Sequence, residues 1–427
     1  MSDAASSFSR SLDHWSMSGG DLGAVLSEYT DHVISSVAEV QAISRALDAL
    51  HATSQDRVES GEHELAKLAN YLLSPSDDAV LQVIIAESLP LLRWYVCDAL
   101  SGKNHDPRDV MTLLFLLARY RQKEDISIIF KALINGFDRY NSEWKNILGN
   151  FRDNHPFIKP FLQAVSKQLP PNQSGLEFLY LCDHIFTTQQ LRPHVYNAEQ
   201  GLRKLTSYLH PESKRPEEFA LAAVHTATLL DVQKRDALLK FSGSHPNPKV
   251  VFLTRVTLAS LGDCDEQKLL RELCLDLACS HETQLKLTEV GMEGLIPEEA
   301  KDPEFLALAK TSYWLIHQSS LGTAADRLEL VDSRELFWLP NHEPCCLYAV
   351  KYEYDTPQGE TGLTAGIAVV GGITHSLIGE TEPGMDLADL YGLHCCWELE
   401  QRKNPLAPRH RTAKIGRNLL RKHNPAL

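Results

Sequence analysis

Six side chains in the C-terminal quarter of the chain could bind a metal or act as nucleophiles: Cys345, Cys346, His375, His394, Cys395 and Cys396. Cysteine thiolates and imidazoles are the usual ligands of zinc. Their spacing argues against that use. Closed zinc sites draw ligands in pairs a few residues apart, whereas the pairs here are directly adjacent. Neighbours on a strand point to opposite faces, and neighbours on a helix diverge by about 100°. Cys395 also lies one helical turn from Tyr391 and Leu399, which places it on an apolar stripe. The expectation is buried structural thiols, with no metal and no cofactor, and these six remain the candidate ligands.

The stretch GLTAGIAVVGGITHSLIGET (362–381) raises a second chemistry, phosphate binding. Gly366 and Gly371 keep the Gly-x4-Gly frame of a phosphate loop, but Gly372 stands where a lysine is required. No helix-forming run follows to present its N-terminal dipole to an anion. A strand, a bulge and a further strand is the simpler reading, the glycines serving positive φ or close backbone approach. Motifs for a serine nucleophile elbow, a zincin helix, a calcium loop or paired carboxylates do not occur. His225, Trp94-Tyr95 and Tyr313-Trp314 sit at helical positions that suit packing.

The third candidate is charge. Residues 401–427 carry eight Lys or Arg and no acid, in a chain whose formal net charge is −14. The remaining 400 residues therefore hold about −22. Arg409, Arg411, Lys414, Arg417, Arg421 and Lys422, with Ile415, Leu419 and Leu420 between them, form a basic amphipathic helix from Thr412 to Lys422. Such a helix could meet nucleic acid, membrane or a protein partner. Without aromatic residues for base stacking, docking on the acidic body of the same chain is the favoured reading.

These residues need elements to position them. From about 21 to 318 the sequence reads as helix after helix, with apolar residues three and four apart and short separators such as SGKNHDP and GSHPNP. The first of these helices is expected over about 21–50, with Val33 among the residues of an apolar stripe from Leu22 to Ile43 and HATSQD closing it. HPNPKVVFLTRVTLASLGDCDEQKLLRELCLDLA (245–278) is the clearest unit: a Pro-Asn turn, an apolar stripe, a tight Gly262-Asp263 turn and a second stripe. It resembles a HEAT repeat, the antiparallel helix pair of α-solenoids. Residues 106–133 and 219–243 are weaker copies. The resemblance covers about two thirds of the chain and implies an armadillo-like helical surface for holding another protein.

Beyond residue 326 the composition turns to Val, Ile, Tyr and Trp. CLYAVKYEYD alternates at Leu347, Ala349, Tyr352 and Tyr354 with one slip, TPQGETG reads as a hairpin turn, and LTAGIAVV as the return strand. MDLADLYGLHCCWELEQRK (385–403) returns to helix. The expected organisation is a flexible N-terminus (1–20), a helical-repeat domain (21–320), a small α+β module with an antiparallel sheet (326–403) and a basic tail helix (404–427). The fold class is thus mainly α, a HEAT-like solenoid followed by that module.

Nine cysteines, an odd number with no CxxC, fit a reducing compartment. The first residues lack the apolar core of a secretory signal. The window 79–100 is interrupted by Glu87, Pro90, Arg93 and Asp98 and reads as too polar to cross a bilayer. A cytoplasmic, non-enzymatic scaffold whose partner is another protein is the expected function, with nucleic acid and a membrane span not expected. The alternatives are a metal- or thiol-dependent enzyme at the C-terminal Cys/His cluster and a nucleic-acid binder acting through the tail.

Overall fold

The computed structural model describes residues 2–53, 64–75, 77–102, 105–135, 141–212, 215–359, 362–382 and 384–425. The chain forms two compact units, Met1–Leu253 and Thr254–Leu427. The division falls inside the stretch read from sequence as one helical domain.

Unit 1 is all helix. Its elements are α1 (Ser2–Ser18), α2 (Leu22–Ser27), α3 (Val37–Thr53), α4 (Glu64–Asn70), α5 (Asp78–Val83), α6 (Leu89–Leu100) and α7 (Pro107–Tyr120). They continue with α8 (Asp125–Asn135), α9 (Asn141–Gly149), α10 (Ile158–Val165), α11 (Asn172–Gln189), α12 (Glu199–Tyr208), α13 (Glu217–Ala227) and α14 (Val232–Ser242). Aspartates start several of them: Asp21, Asp77 and Asp106 accept backbone N–H bonds that the first turn cannot satisfy within the helix. Left-handed residues Arg121 (φ 53°) and Gln190 (φ 52°) end α7 and α11. Within this unit α7 packs on α9, α9 on α11 and α11 on α13, while α6 packs on α8 and α8 on α10.

Three expectations are corrected here. The N-terminal stretch read as flexible is α1, whose Phe8, Leu12 and Trp15 recur at helical spacing and are buried, with α1 packed on α3. The single helix expected over about 21–50 is broken between α2 and α3, and Val33, placed on its stripe, is 66% exposed. The helical run Asp78–Leu100, which contains α5, a π-turn at Ile84–Ser88 and α6, is long and apolar enough to cross a membrane. The reading of this run as too polar therefore does not hold on composition. Packing describes it better: Leu89, Leu92, Tyr95 and Val96 are buried, and Arg93 Nε donates to the buried Asp125 carboxylate at 2.5 Å.

Helix α15 (Pro248–Ser260) carries the chain across the division. Unit 2 continues with α16 (Cys264–Leu275), α17 (Ser280–Glu289), α18 (Pro303–His317), β1 (Arg327–Trp338), β2 (Glu343–Gln358), β3 (Leu363–Val370), α19 (Leu387–Gln401) and α20 (Ala413–Arg421). The three strands form one antiparallel sheet in the order β1-β2-β3. The return strand begins and ends where LTAGIAVV does, and the hairpin turn includes Glu360 and Thr361, which lie outside the described residues.

Both faces of this sheet are covered. Leu347, Ala349, Ile367 and Val369 pack with Leu390, Tyr391, Cys395 and Leu399 of α19 and Leu420 of α20. Tyr352, Tyr354 and Ala368 pack with Trp314 and Leu315 of α18, and Val350 and Val370 with its Ala307. Helix α18, read from sequence as the last of the repeat helices, thus covers the sheet. The apparent slip in β2 is the consequence, because odd and even positions feed two different cores. In β1 an extra residue between Leu330 and Asp332 breaks the register. This bulge lets Leu328 and Leu330 face α18 while Leu336 and Trp338, of the same parity, face α19.

Candidate functional site

The predicted C-terminal cluster lies on β2, the segment after β3, and α19. Cys345 joins the α19-side core, where Asn341 Nδ2 approaches its sulfur at 3.6 Å, whereas Cys346 is exposed. Cys395 and Cys396 are buried. Burial pushes the Cys395 thiol well above its ordinary range and the Cys396 thiol up to about 11, so neither ionises near neutrality. Among the described residues no three His, Cys, Asp or Glu side chains converge as a metal site requires.

The two histidines do come together, through an indole. After β3 the backbone bends at Gly371–Thr374 and returns, so that Val369 and His375 exchange backbone hydrogen bonds of 2.9 and 3.1 Å. The His375 ring then stacks on Trp397 at 3.9 Å and 1°, with Trp314 edge-on at 5.4 Å. Trp397 also touches His394, at 5.4 Å between centroids. Burial first, then the nearby Arg411, lowers the His375 pKa and holds the ring neutral, against the opposing pull of Glu380.

His394 sits deeper. Its Nε2 donates to the Ile373 carbonyl (3.1 Å), which leaves Nδ1 buried with no partner among the described residues. Burial lowers its pKa to about 3, with His375 adding to the shift. Glu398, one turn further along α19, is wholly buried. It accepts from Trp338 Nε1 (2.8 Å) and from Arg402 Nε and Nη2 (2.9 and 2.6 Å). His394 Nε2 lies 3.9 Å from Glu398, and with a neutral ring this is proximity without an ion pair.

Gly366, Gly371 and Gly372 serve these neighbours. A Cβ on Gly366 would lie 2.3 Å from the Tyr352 ring, one on Gly371 2.2 Å from Leu347, and one on Gly372 2.7 Å from Glu398 Oε1. Close approach, and not positive φ, is the role of these three, whereas Gly362 (φ 62°) and Gly379 (φ 84°) take positive φ, and the phosphate-loop frame is a β-strand and a bend.

The basic tail folds back. Gly416 of α20 crosses Gly392 of α19 so closely that a Cβ on Gly416 would lie 2.0 Å from the Gly392 carbonyl oxygen. Leu420 is buried, while Ile415, expected to help anchor the helix, is 37% exposed. Arg411 bridges Glu380 and Glu400, and Arg417 bridges Asp386 (2.6 Å) and Asp389 (2.8 Å). Asn424 takes both backbone groups of Phe337 on the open edge of β1, accepting from its N–H (2.7 Å) and donating to its C=O (3.1 Å). Arg409, Lys414, Arg421 and Lys422 point to solvent.

Between these parts lies a cleft of about 300 Å³ lined by Trp314, His375, Ser376, Glu380, Trp397 and Arg411. It offers a neutral imidazole between two indoles, beside a closed Arg–Glu pair. The Ser376 hydroxyl is committed, donating to the Ile367 carbonyl (2.7 Å) and accepting from Tyr352. The arrangement suits holding a small planar polar group. Sequence reasoning named His375, His394 and Arg411 but missed Glu398, Arg402 and Trp338. A signal existed for the helix crossing: Gly392 and Gly416 each interrupt an otherwise helical pattern. No family model matches the chain, and no curated protein or solved structure matches it either.

Proposed function

We propose that the protein is a non-enzymatic interaction protein of the cytoplasm, in which unit 1 is a HEAT-like α-solenoid that holds another protein and the C-terminal module adds a second surface. The observation that carries this reading is the alternating packing of unit 1, in which α7, α9, α11 and α13 touch in succession, as do α6, α8 and α10. In these two rows each helix meets its next-but-one neighbour, as stacked helix pairs do in an α-solenoid. Arg411 and Arg417 are bonded to carboxylates, which leaves fewer of the tail's cations for a nucleic acid.

The second surface, on unit 2, shares in holding that partner and needs exposed apolar anchors. Leu261, Leu275, Leu285 and Val290 are 42%, 45%, 56% and 41% exposed, four large apolar side chains in one thirty-residue stretch. Residues 261–304 carry twelve acidic and four basic side chains. Clustered apolar exposure marks contact surfaces, and the acidic setting selects a partner with basic residues around an apolar centre. The test is affinity capture from native cells with the intact chain and with a Leu275→Glu/Leu285→Glu variant shown to be folded by circular dichroism. The intact chain is expected to retain one basic partner in stoichiometric amount, and the variant roughly tenfold less, as loss of central anchors does. Equal recovery by both forms, or no partner at all, would overturn the reading.

A further inference from the structure

Unit 1 contains a cleft that shares no residue with the C-terminal cluster. It has a volume of about 580 Å³ and lies between α10, the second half of α11 and the segment that follows α11. Small-molecule sites span about 300–1,000 Å³ and combine apolar walls with a few fixed polar groups. Here Leu162, Ile185, Phe186 and Val195 supply apolar wall, and the charged side chains lining it are Lys159 and Arg192.

That pairing stands out against the chain as a whole, whose net charge is −14. No carboxylate lines the cleft, and among the described residues neither cation has one within ion-pairing distance. Arg192 instead holds its guanidinium 5.2 Å from the centre of the Phe186 ring, a position that leaves its N–H groups available. The wall behind is fixed. His194 packs edge-on against Phe186 at 5.2 Å and accepts the Tyr196 N–H through Nδ1 (3.3 Å). Its Nε2 faces Asp183 Oδ1 at 3.0 Å, and the other Asp183 oxygen accepts the Thr226 hydroxyl (2.8 Å). The Asp183 charge is thereby engaged behind His194 and is not among the groups lining the cleft.

We propose that this cleft binds a medium-chain aliphatic carboxylate. The hydrocarbon tail would cover the Leu162, Ile185, Phe186 and Val195 wall, gaining about 25 cal/mol per Å² of apolar surface removed from water. The carboxylate would meet the Arg192 fork, whose planar geometry matches two oxygens, with Lys159 as a second positive charge. A cation would be repelled by both residues, and an uncharged alcohol would lose the charge-assisted bonds.

Calorimetric titration of the full chain with sodium decanoate, below its micelle-forming concentration, tests this directly. Decanol and decyltrimethylammonium serve as probes with the same tail and a different head. Saturable binding of one decanoate per chain is expected, with decanol weaker and the ammonium compound not bound. Arg192→Glu and Lys159→Glu should each weaken decanoate roughly tenfold or more, the effect of replacing a charge-assisted contact by repulsion. Both side chains are exposed, so the variants are expected to keep the helical spectrum of the parent. Failure of decanoate to saturate, equal binding of decanol, or undiminished binding in both variants would overturn the assignment. So would binding of an acidic, apolar peptide in the absence of any decanoate binding, which would give the cleft to a protein partner.

Discussion

Glu398 is a carboxylate cut off from water, and such a charge costs several kcal/mol unless bonded partners replace its hydration. Arg402 and Trp338 do so here, and Gly372 leaves the room they need. His394, one turn earlier, has no acid bonded to it and is kept neutral by burial, its pKa lowered to about 3; burial lowers that of His155 to about 4. These shifts set the acid behaviour of the fold. The unfolded chain takes up these protons first as pH falls below about 6.5, so the stability they contribute is complete above that value and is lost on further acidification toward 4 and 3. Each group steepens the loss by at most about 1.4 kcal/mol per pH unit within its window. The urea midpoint is expected to fall between pH 6.5 and 5, and His394→Gln should flatten that fall while lowering stability at pH 7. An unchanged pH slope in the variant would mean that His394 is not held neutral. The stripe through Tyr391, Cys395 and Leu399 was legible from helical spacing alone. The Glu398 knot was not, because Trp338 lies sixty residues away in sequence and spacing carries no information about such pairs.

Elements were legible wherever one periodicity ruled. Strand β3 and helices α7, α13, α19 and α20 follow their apolar patterns, and an aspartate starts α7 and α19. The reading failed where two rules overlapped. In β2 two-sided burial imitates a slip, and in β1 the bulge reverses which positions are buried. The helix pair read most clearly from sequence is the instructive case. Its turn stands as expected: Gly262 has φ 95°, and Asp263 caps α16 by accepting from Asp265 and Glu266. Its stripes do not stand in full. Val256 and Leu270 are buried, Leu258 and Leu273 are half-buried, and Leu261 and Leu275 are exposed. A run of leucines contains more apolar positions than one helix face can bury, and sequence alone does not say which are left over. Leu270→Ala is therefore expected to cost roughly 2–5 kcal/mol, the range for emptying a core site. Leu275→Ala should cost less than about 0.5 kcal/mol, as ordinary surface changes do. Urea unfolding of the full chain measures both, and equal losses would show that the burial of this pair is misassigned.

At the scale of the molecule the dominant asymmetry is charge, an acidic body with a tail of eight cations and no acid. An unattached tail of that kind would seek phosphate. Its helix is instead fixed by the Gly392–Gly416 crossing, the burial of Leu420 and the hold of Asn424 on Phe337, contacts that no salt concentration screens. The ion pairs of Arg411 and Arg417 add less, because these pairs are partly exposed and such pairs contribute about 0–1 kcal/mol. Deleting residues 404–427 would take Leu420, Leu419 and Ala407 from the α19-side core and leave the edge of β1 unpaired at Phe337. The truncated chain is expected to melt several degrees lower and to associate through that edge, which thermal unfolding and light scattering report. Retention on DNA or RNA should stay near background in both forms. Binding through the tail would instead fall with salt at a log–log slope near −0.9 per phosphate neutralised and vanish on truncation. Salt-sensitive binding of that kind, with no change in melting temperature on truncation, would mean that the tail leaves the body to meet nucleic acid.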